Sequence, residues 1–204
     1  MNILLIHGLG RTPLSMSGMG EALKQAGHHP SSFGYTTLLE SFDEITARLR
    51  DRLHILSRTS PYGIVSHSMG GILTRAALAQ ADFPLPAHVV MLAPPNQSPR
   101  LARLAVTLPP FNWFAGQSGH NMASPQFYTQ LPTLSCSYTI ITGTAGQTGV
   151  LSLFGEEIND FVVGAEESKM HKHDVPIEVP ALHSFIMNNN KVQALAVKAF
   201  SEDH

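Results

Sequence analysis

The residues able to do chemistry in this chain fall into a few short stretches. The first is Ser66-His67-Ser68-Met69-Gly70-Gly71, placed where an apolar run, Tyr62–His67, gives way to a helical pattern over Met69–Gln80. A sharp strand-to-helix turn holds its central serine in a strained backbone conformation and lifts the hydroxyl above the sheet edge. Small residues two before and two after the serine are needed, because strand and helix run close together there. Gly70 meets that need; Ser66 stands where glycine is usual and is small enough to be tolerated. A hydroxyl displayed in this way becomes a nucleophile for acyl transfer once a base accepts its proton. The simpler role for Ser68, capping the helix that begins at Met69, is outweighed by the strand–turn–helix context. Ser66 is a poor rival, since it would point away from the apex.

The base has to follow the last strand, near the end of the chain. His183 comes directly after the apolar run Val175–Val179, and the terminal His204 is the other histidine in that region. Imidazole can take a serine proton and return it to a leaving group near neutral pH. The acid is expected between serine and histidine, just after the fifth strand, but Gly143-Thr144-Ala145-Gly146-Gln147 offers no carboxylate. The first candidates are Glu156, Glu157 and Asp160. Asp160 has the shorter side chain and precedes Phe161-Val162-Val163, an apolar run able to anchor it.

Acyl transfer also needs preformed donors aimed where negative charge develops on the carbonyl oxygen. The Met69 N–H, directly after the nucleophile, is one. The second is expected from the glycine-rich stretch His7-Gly8-Leu9-Gly10, with Leu9 presenting its N–H and His7 bracing the loop. The cluster His171-Lys172-His173-Asp174 has metal-binding residue types but no third ligand run, and reads as solvated loop. His28, His29 and His120 show no partner spacing, so no metal site is expected.

The elements that must position these groups follow from the hydrophobic pattern. Short apolar runs alternate with amphipathic stretches, which is the pattern of a parallel sheet covered by helices on both faces. Six strands are expected, at Asn2–His7, weakly at Pro30–Tyr35, and at Tyr62–His67, His88–Ala93, Tyr138–Thr142 and Val175–Val179. A helix is expected with Thr12 as its N-cap, Pro13 at its first position and Gly27 just past its end; another opens with the capping box Ser41-Phe42-Asp43-Glu44; a last one lies near Lys191–Phe200. The 204 residues fit a single domain spanning 1–204. Residues 94–134 break the rhythm, being rich in Pro and Gly yet apolar at Leu101, Leu104, Phe111, Trp113 and Phe114. That stretch reads equally as a lid-like, substrate-binding insertion and as a segment that merely shields the sheet.

Composition narrows the function classes. The net charge is −2 and no Lys/Arg cluster stands out, so there is no electrostatic footprint for nucleic acid or an anionic membrane. The lone Cys136 rules out an intramolecular disulfide. Ile3–Ile6 is too short for a secretory or membrane-spanning segment and lacks a basic lead-in, so a cytoplasmic protein without a transmembrane segment is expected.

Taken together, Ile6-His7-Gly8-Leu9-Gly10-Arg11, the Ser66–Gly71 stretch and Met91-Leu92-Ala93-Pro94-Pro95-Asn96-Gln97 resemble the small bacterial lipase-like α/β hydrolases. That group is related to the triacylglycerol-lipase-like and GPI-inositol-deacylase-like enzymes. The resemblance extends through Glu157-Ile158-Asn159-Asp160 and Leu182-His183-Ser184-Phe185-Ile186-Met187, nearly the whole chain. It implies the α/β-hydrolase fold, and hydrolysis of a small-molecule or lipid ester without a cofactor. It also implies a triad in which Asp160 and His183 complete Ser68. Phe161 and Ser66 stand where the family usually has glycine. An acyltransferase or thioesterase would use the same groups, and a non-catalytic binding protein could keep the fold alone.

Overall fold

Strands that read as continuous apolar runs are buried on both faces, as parallel strands are. The computed structural model describes residues 1–58, 61–79, 81–105 and 124–201. Within them six runs form one sheet: β1 (Asn2–Ile6), β2 (His29–Phe33), β3 (Tyr62–His67), β4 (His88–Leu92), β5 (Tyr138–Gly143) and β6 (Ile177–Val179). Their order is β2-β1-β3-β4-β5-β6, and every neighbouring pair is parallel. The expected class, a six-stranded parallel α/β sheet, is the one observed. β6 starts two residues later than expected, because Pro176 has no N–H to give to a ladder and Val175 is left exposed.

Successive side chains of a strand point to opposite faces, so each strand feeds two cores. Leu4, Ile6, Ile64, Val89, Met91 and Ile140 pack with helices α2 (Phe42–Ser57) and α3 (Met69–Leu78). Ile3, Leu5, Val65, Val90, Leu92 and Ile141 pack with α1 (Ser17–Gln25) and, at the C-terminal end of the chain, Asn190–Ser201. The Ser41 capping box forms as its residues imply, Ser41 Oγ accepting from the Glu44 N–H and Glu44 accepting from the Ser41 N–H. The first helix departs from expectation. A 3-10 turn, Pro13–Met16, comes first and the Thr12 side chain caps nothing.

The described parts of residues 94–134 are less irregular than their composition suggests. Two short helices, α4 (Arg100–Ala105) and α5 (Pro125–Gln130), flank the segment 106–123, which lies outside the described residues and contains Phe111, Trp113 and Phe114. With these labels the closing helix Asn190–Ser201 is α6. Both roots of the segment are tied to one buried cation on α3. Arg75, 3% exposed, donates from Nε to Pro132 O (3.0 Å) and from Nη2 to Leu131 O (2.9 Å). Its Nη1 donates to Asn96 O and Oδ1, each at 3.1 Å. Burial lowers its pKa to about 10, so the guanidinium stays charged at neutral pH, with oxygens of the two roots in place of a carboxylate.

Candidate active site

Ser68 follows β3 and precedes α3 at φ 51° and ψ −122°, a positive-φ conformation outside the αL well that costs a side-chain-bearing residue on the order of 1–3 kcal/mol. The surrounding ladder imposes it. The Ser68 N–H donates to Leu92 O (2.9 Å) and extends the β3–β4 pairing to the turn itself. α3 then leaves so close to β1 that a Cβ on Gly70 would lie 2.7 Å from Ile6 O and 2.8 Å from His7 O, both backbone atoms. Ser66 is fully buried in the place where glycine is usual, with its Oγ 3.5 Å from Val90 O.

His183 arrives from the far end of the sheet, after β6, at the start of a 3-10 turn (His183–Asn188). Its Nε2 lies 2.9 Å from Ser68 Oγ and its Nδ1 lies 2.7 Å from Asp160 Oδ2. With the Nδ1 proton on the Asp160 side, Nε2 is left to accept the Ser68 hydroxyl proton. All three side chains are buried, Asp160 completely. The three residues singled out for nucleophile, base and acid therefore form one hydrogen-bonded chain.

Asp160 is fixed from several sides. Its Oδ1 accepts from the Val162 N–H (3.0 Å) and the Val163 N–H (2.7 Å), which frees Oδ2 for the histidine. Its carbonyl accepts from the His183 N–H (3.0 Å), so the two residues are joined through backbone as well as side chain. Asn159, buried beside it, donates from Nδ2 to Gln147 O and Glu157 O and accepts the Phe161 N–H on Oδ1. Phe161, where glycine is usual, takes φ 79°, and this is the backbone requirement that a glycine would meet without strain. The rival acids are placed elsewhere. Glu156 is exposed, and Glu157 is paired with Arg100 and accepts from the Glu166 N–H.

The loop after β1 runs against the elbow. A Cβ on Gly8 would sit 2.8 Å from His67 Nδ1 and 3.1 Å from Ser68 Cβ, so only glycine lets the chain pass. Leu9 lines the cleft beside Ser68, and Met69 opens α3 with an N–H that no preceding turn can use. Among the described residues neither N–H is taken up by a hydrogen bond. His7 stacks on Tyr35 at 4.2 Å, bonds Gly8 O through Nδ1 and accepts from the Tyr35 N–H on Nε2 (3.5 Å), a bracing position. His67 donates from Nε2 to His183 O (3.0 Å), while its buried Nδ1 has no partner. Burial first, then the neighbouring His183, Arg11 and His7, push its pKa well below the ordinary histidine value.

A cleft of about 360 Å³ opens over these groups. The insertion contributes Pro95, Pro99, Leu101 and Ala102 to its wall, the acid loop Val162 and Val163, and the β1 loop Leu9 and Arg11. Leu101 thus lies where a substrate wall was expected. Leu104 is half exposed and is not among the described lining residues, while Phe111, Trp113 and Phe114 lie outside the described residues. The cluster around His171 and His173 is separate from the cleft: Asp174 accepts from the Tyr138 hydroxyl and from the Met170 and His171 amides. Reading the sequence did not single out Arg11 or Arg75. The available signal for Arg75 was a lone charge within the apolar helix Met69–Leu78.

The fold and this arrangement define the class. Residues 3–157 match the alpha/beta hydrolase family, and the chain belongs to it. No curated protein matches the sequence. Among solved structures the chain is similar to the mature lipase BlEst2 of Bacillus licheniformis, with 19% identity and a TM-score of 0.69, covering 97% of this chain and 90% of the lipase. It is also similar to an extracellular alpha/beta-hydrolase from a Paenibacillus species, with 16% identity, a TM-score of 0.62 and 98% of each chain covered. A third likeness is to the RedJ thioesterase of Streptomyces coelicolor, with 13% identity, a TM-score of 0.60, and 97% of this chain and 85% of that one covered. At these identities the likeness speaks for the fold. No described helix is long and apolar enough to cross a membrane.

Proposed function

We propose that this protein hydrolyses carboxylic esters through an acyl-enzyme, with Ser68 as nucleophile, His183 as base and acid, and Asp160 as the group that orients the imidazole. The observation that carries the reading is the unbroken chain Ser68 Oγ–His183 Nε2 and His183 Nδ1–Asp160 Oδ2 beneath an open cleft. Ser68 Oγ bonds to the ester carbonyl carbon as its proton passes to His183 Nε2. The oxyanion that forms lies toward the Leu9 and Met69 amides. Collapse breaks the bond to the alcohol oxygen, which leaves with the proton from His183. Water then attacks the acyl-enzyme with the same histidine as base, releasing the acid and restoring the serine hydroxyl. The acyl group is placed along Leu101 and its apolar neighbours.

Ser68→Ala is expected to lower turnover of a p-nitrophenyl ester by roughly 10⁴–10⁶-fold, the scale on which a triad nucleophile matters. A fluorophosphonate probe should label Ser68 in the folded wild type and leave the variant unlabelled. Undiminished turnover in the variant would sink the proposal, and absence of an adduct in folded wild type would favour a binding protein. The same groups would open a thioester, so esters and thioesters of matched acyl chains belong side by side in that assay.

A further inference from the structure

Among the described residues that line it, the cleft combines an apolar wall with one permanent cation, Arg11. Arg11 lies half-buried on the rim, directly after the glycines of the β1 loop, and its Nη2 donates to Ser184 O at 3.2 Å. That single bond tethers the guanidinium beside the catalytic histidine and leaves most of its five donors unused by it. Among the described residues no carboxylate pairs with it. The carboxylate at the centre of the site, Asp160, is fully buried and committed to His183, Val162 and Val163. The charge nevertheless reaches the site, since Arg11, after burial and His183, adds to the lowering of the His67 pKa.

The chemistry of the proposed reaction sets which half of a substrate meets this cation. The alcohol oxygen must leave with a proton from His183 Nε2, so the alcohol half extends past the histidine, where Ser184 and Arg11 form the rim. The acyl half then lies along Pro95, Pro99, Leu101, Ala102, Val162 and Val163, a wall without charge. We propose that the protein selects esters whose alcohol half carries an anionic group, a carboxylate or a phosphate, held by Arg11. This inference rests on the ester-hydrolase reading above. Arg11 acts here through specificity: a planar guanidinium binds either anion through paired charge-assisted hydrogen bonds.

The test compares two matched pairs of butanoyl esters: para-butanoyloxybenzoate with its methyl ester, and butanoylglycerol phosphate with butanoylglycerol. The quantity read is the ratio of kcat/KM for the anionic ester to that for its neutral partner. Arg11→Gln is expected to lower this ratio about tenfold, mainly through KM of the anionic ester, with Arg11→Lys falling less. In the wild type, added salt should lower the ratio as well, a readout that needs no variant to fold. A drop in the benzoate pair points to a carboxylate, and one in the glycerol pair to a phosphate. Loss of activity on both members of each pair alike, with the ratios unchanged, would make Arg11 a mere tether of the Ser184 loop and overturn the proposal. Turnover that survives Ser68→Ala would instead sink the hydrolase reading itself.

Discussion

Ser68 and Asp160 stand at two ends of one hydrogen-bonded chain, but the regions that hold them are built by different means. Around Ser68 regular structure does the positioning. β1, β3 and β4 are paired along their length, the Ser68 N–H joins the ladder, and Gly8 and Gly70 let three backbones converge. Around Asp160, residues 144–176 contain one isolated bridge, Asn159 with Gly164, and one 3-10 turn. There the polar side chains replace the ladder: Asn159, Asp160, Glu157 and Glu167 all accept or donate to backbone groups of the loop. Each region holds a side-chain-bearing residue at positive φ, Ser68 and Phe161. At Ser68 the strain aims the hydroxyl at His183 Nε2, whereas Phe161, half exposed, has no such task.

The largest effect expected from this contrast is on catalysis. Asp160→Asn keeps the shape of the acid loop but presents an amide donor to His183 Nδ1, favouring the tautomer that cannot accept the Ser68 proton. In a serine protease the equivalent change drops kcat by about 10⁴, and a fall of that order in p-nitrophenyl ester turnover is expected here, with the circular dichroism spectrum unchanged. A loss under about tenfold would mean that the loop, not the charge, is what matters.

The next effect separates the elbow from the loop by pH. His67, on the elbow side, is held well below its ordinary value of 6.5 by burial. Below about pH 6.5 the unfolded chain binds a proton that the folded one does not, so stability present above that pH is lost as pH falls. The slope due to this one group is at most about 1.4 kcal/mol per pH unit. Urea melts at about pH 7 and pH 5 should show the loss in the wild type and a shallower one in His67→Asn; equal slopes would remove His67 from the account. The smallest effect is at Phe161→Gly. Relief of the left-handed strain, about 1–2 kcal/mol, exceeds the entropy cost of glycine, about 0.5–1 kcal/mol, leaving a modest gain measurable as a higher Tm. An unchanged or lower Tm would show that the Phe161 ring contributes packing that its exposure does not suggest.

The same contrast explains what could be read from the residues alone. Parallel strands buried on both sides are written as unbroken apolar runs, and the elbow as a serine between a strand and a glycine-bearing helix, so β1, β3, β4 and Ser68 were legible. His183 followed from its place after the last strand. The acid loop has no period to read. Glu156, Glu157 and Asp160 are distinguished by where they point, and the pairing of Glu157 with Arg100 is a contact between segments far apart in sequence. The resemblance to lipase-like hydrolases favoured Asp160; hydrophobic pattern alone left three carboxylates open. The cleft was legible only in part, as Leu101 and Leu104 lie on one short helix yet only Leu101 is among the described lining residues.

Arg75 gives the molecule a fixed hem. One guanidinium stitches Asn96 to Leu131 and Pro132, and Asn96 in turn donates to Ser168 O beside the acid loop. Whatever sequence is spliced between those stitches starts and finishes at the same anchored carbonyls. The stretch between α4 and α5 can therefore be exchanged, by evolution or by an engineer, without touching these stitches or the Arg100–Glu157 pair that holds the loop of Asp160.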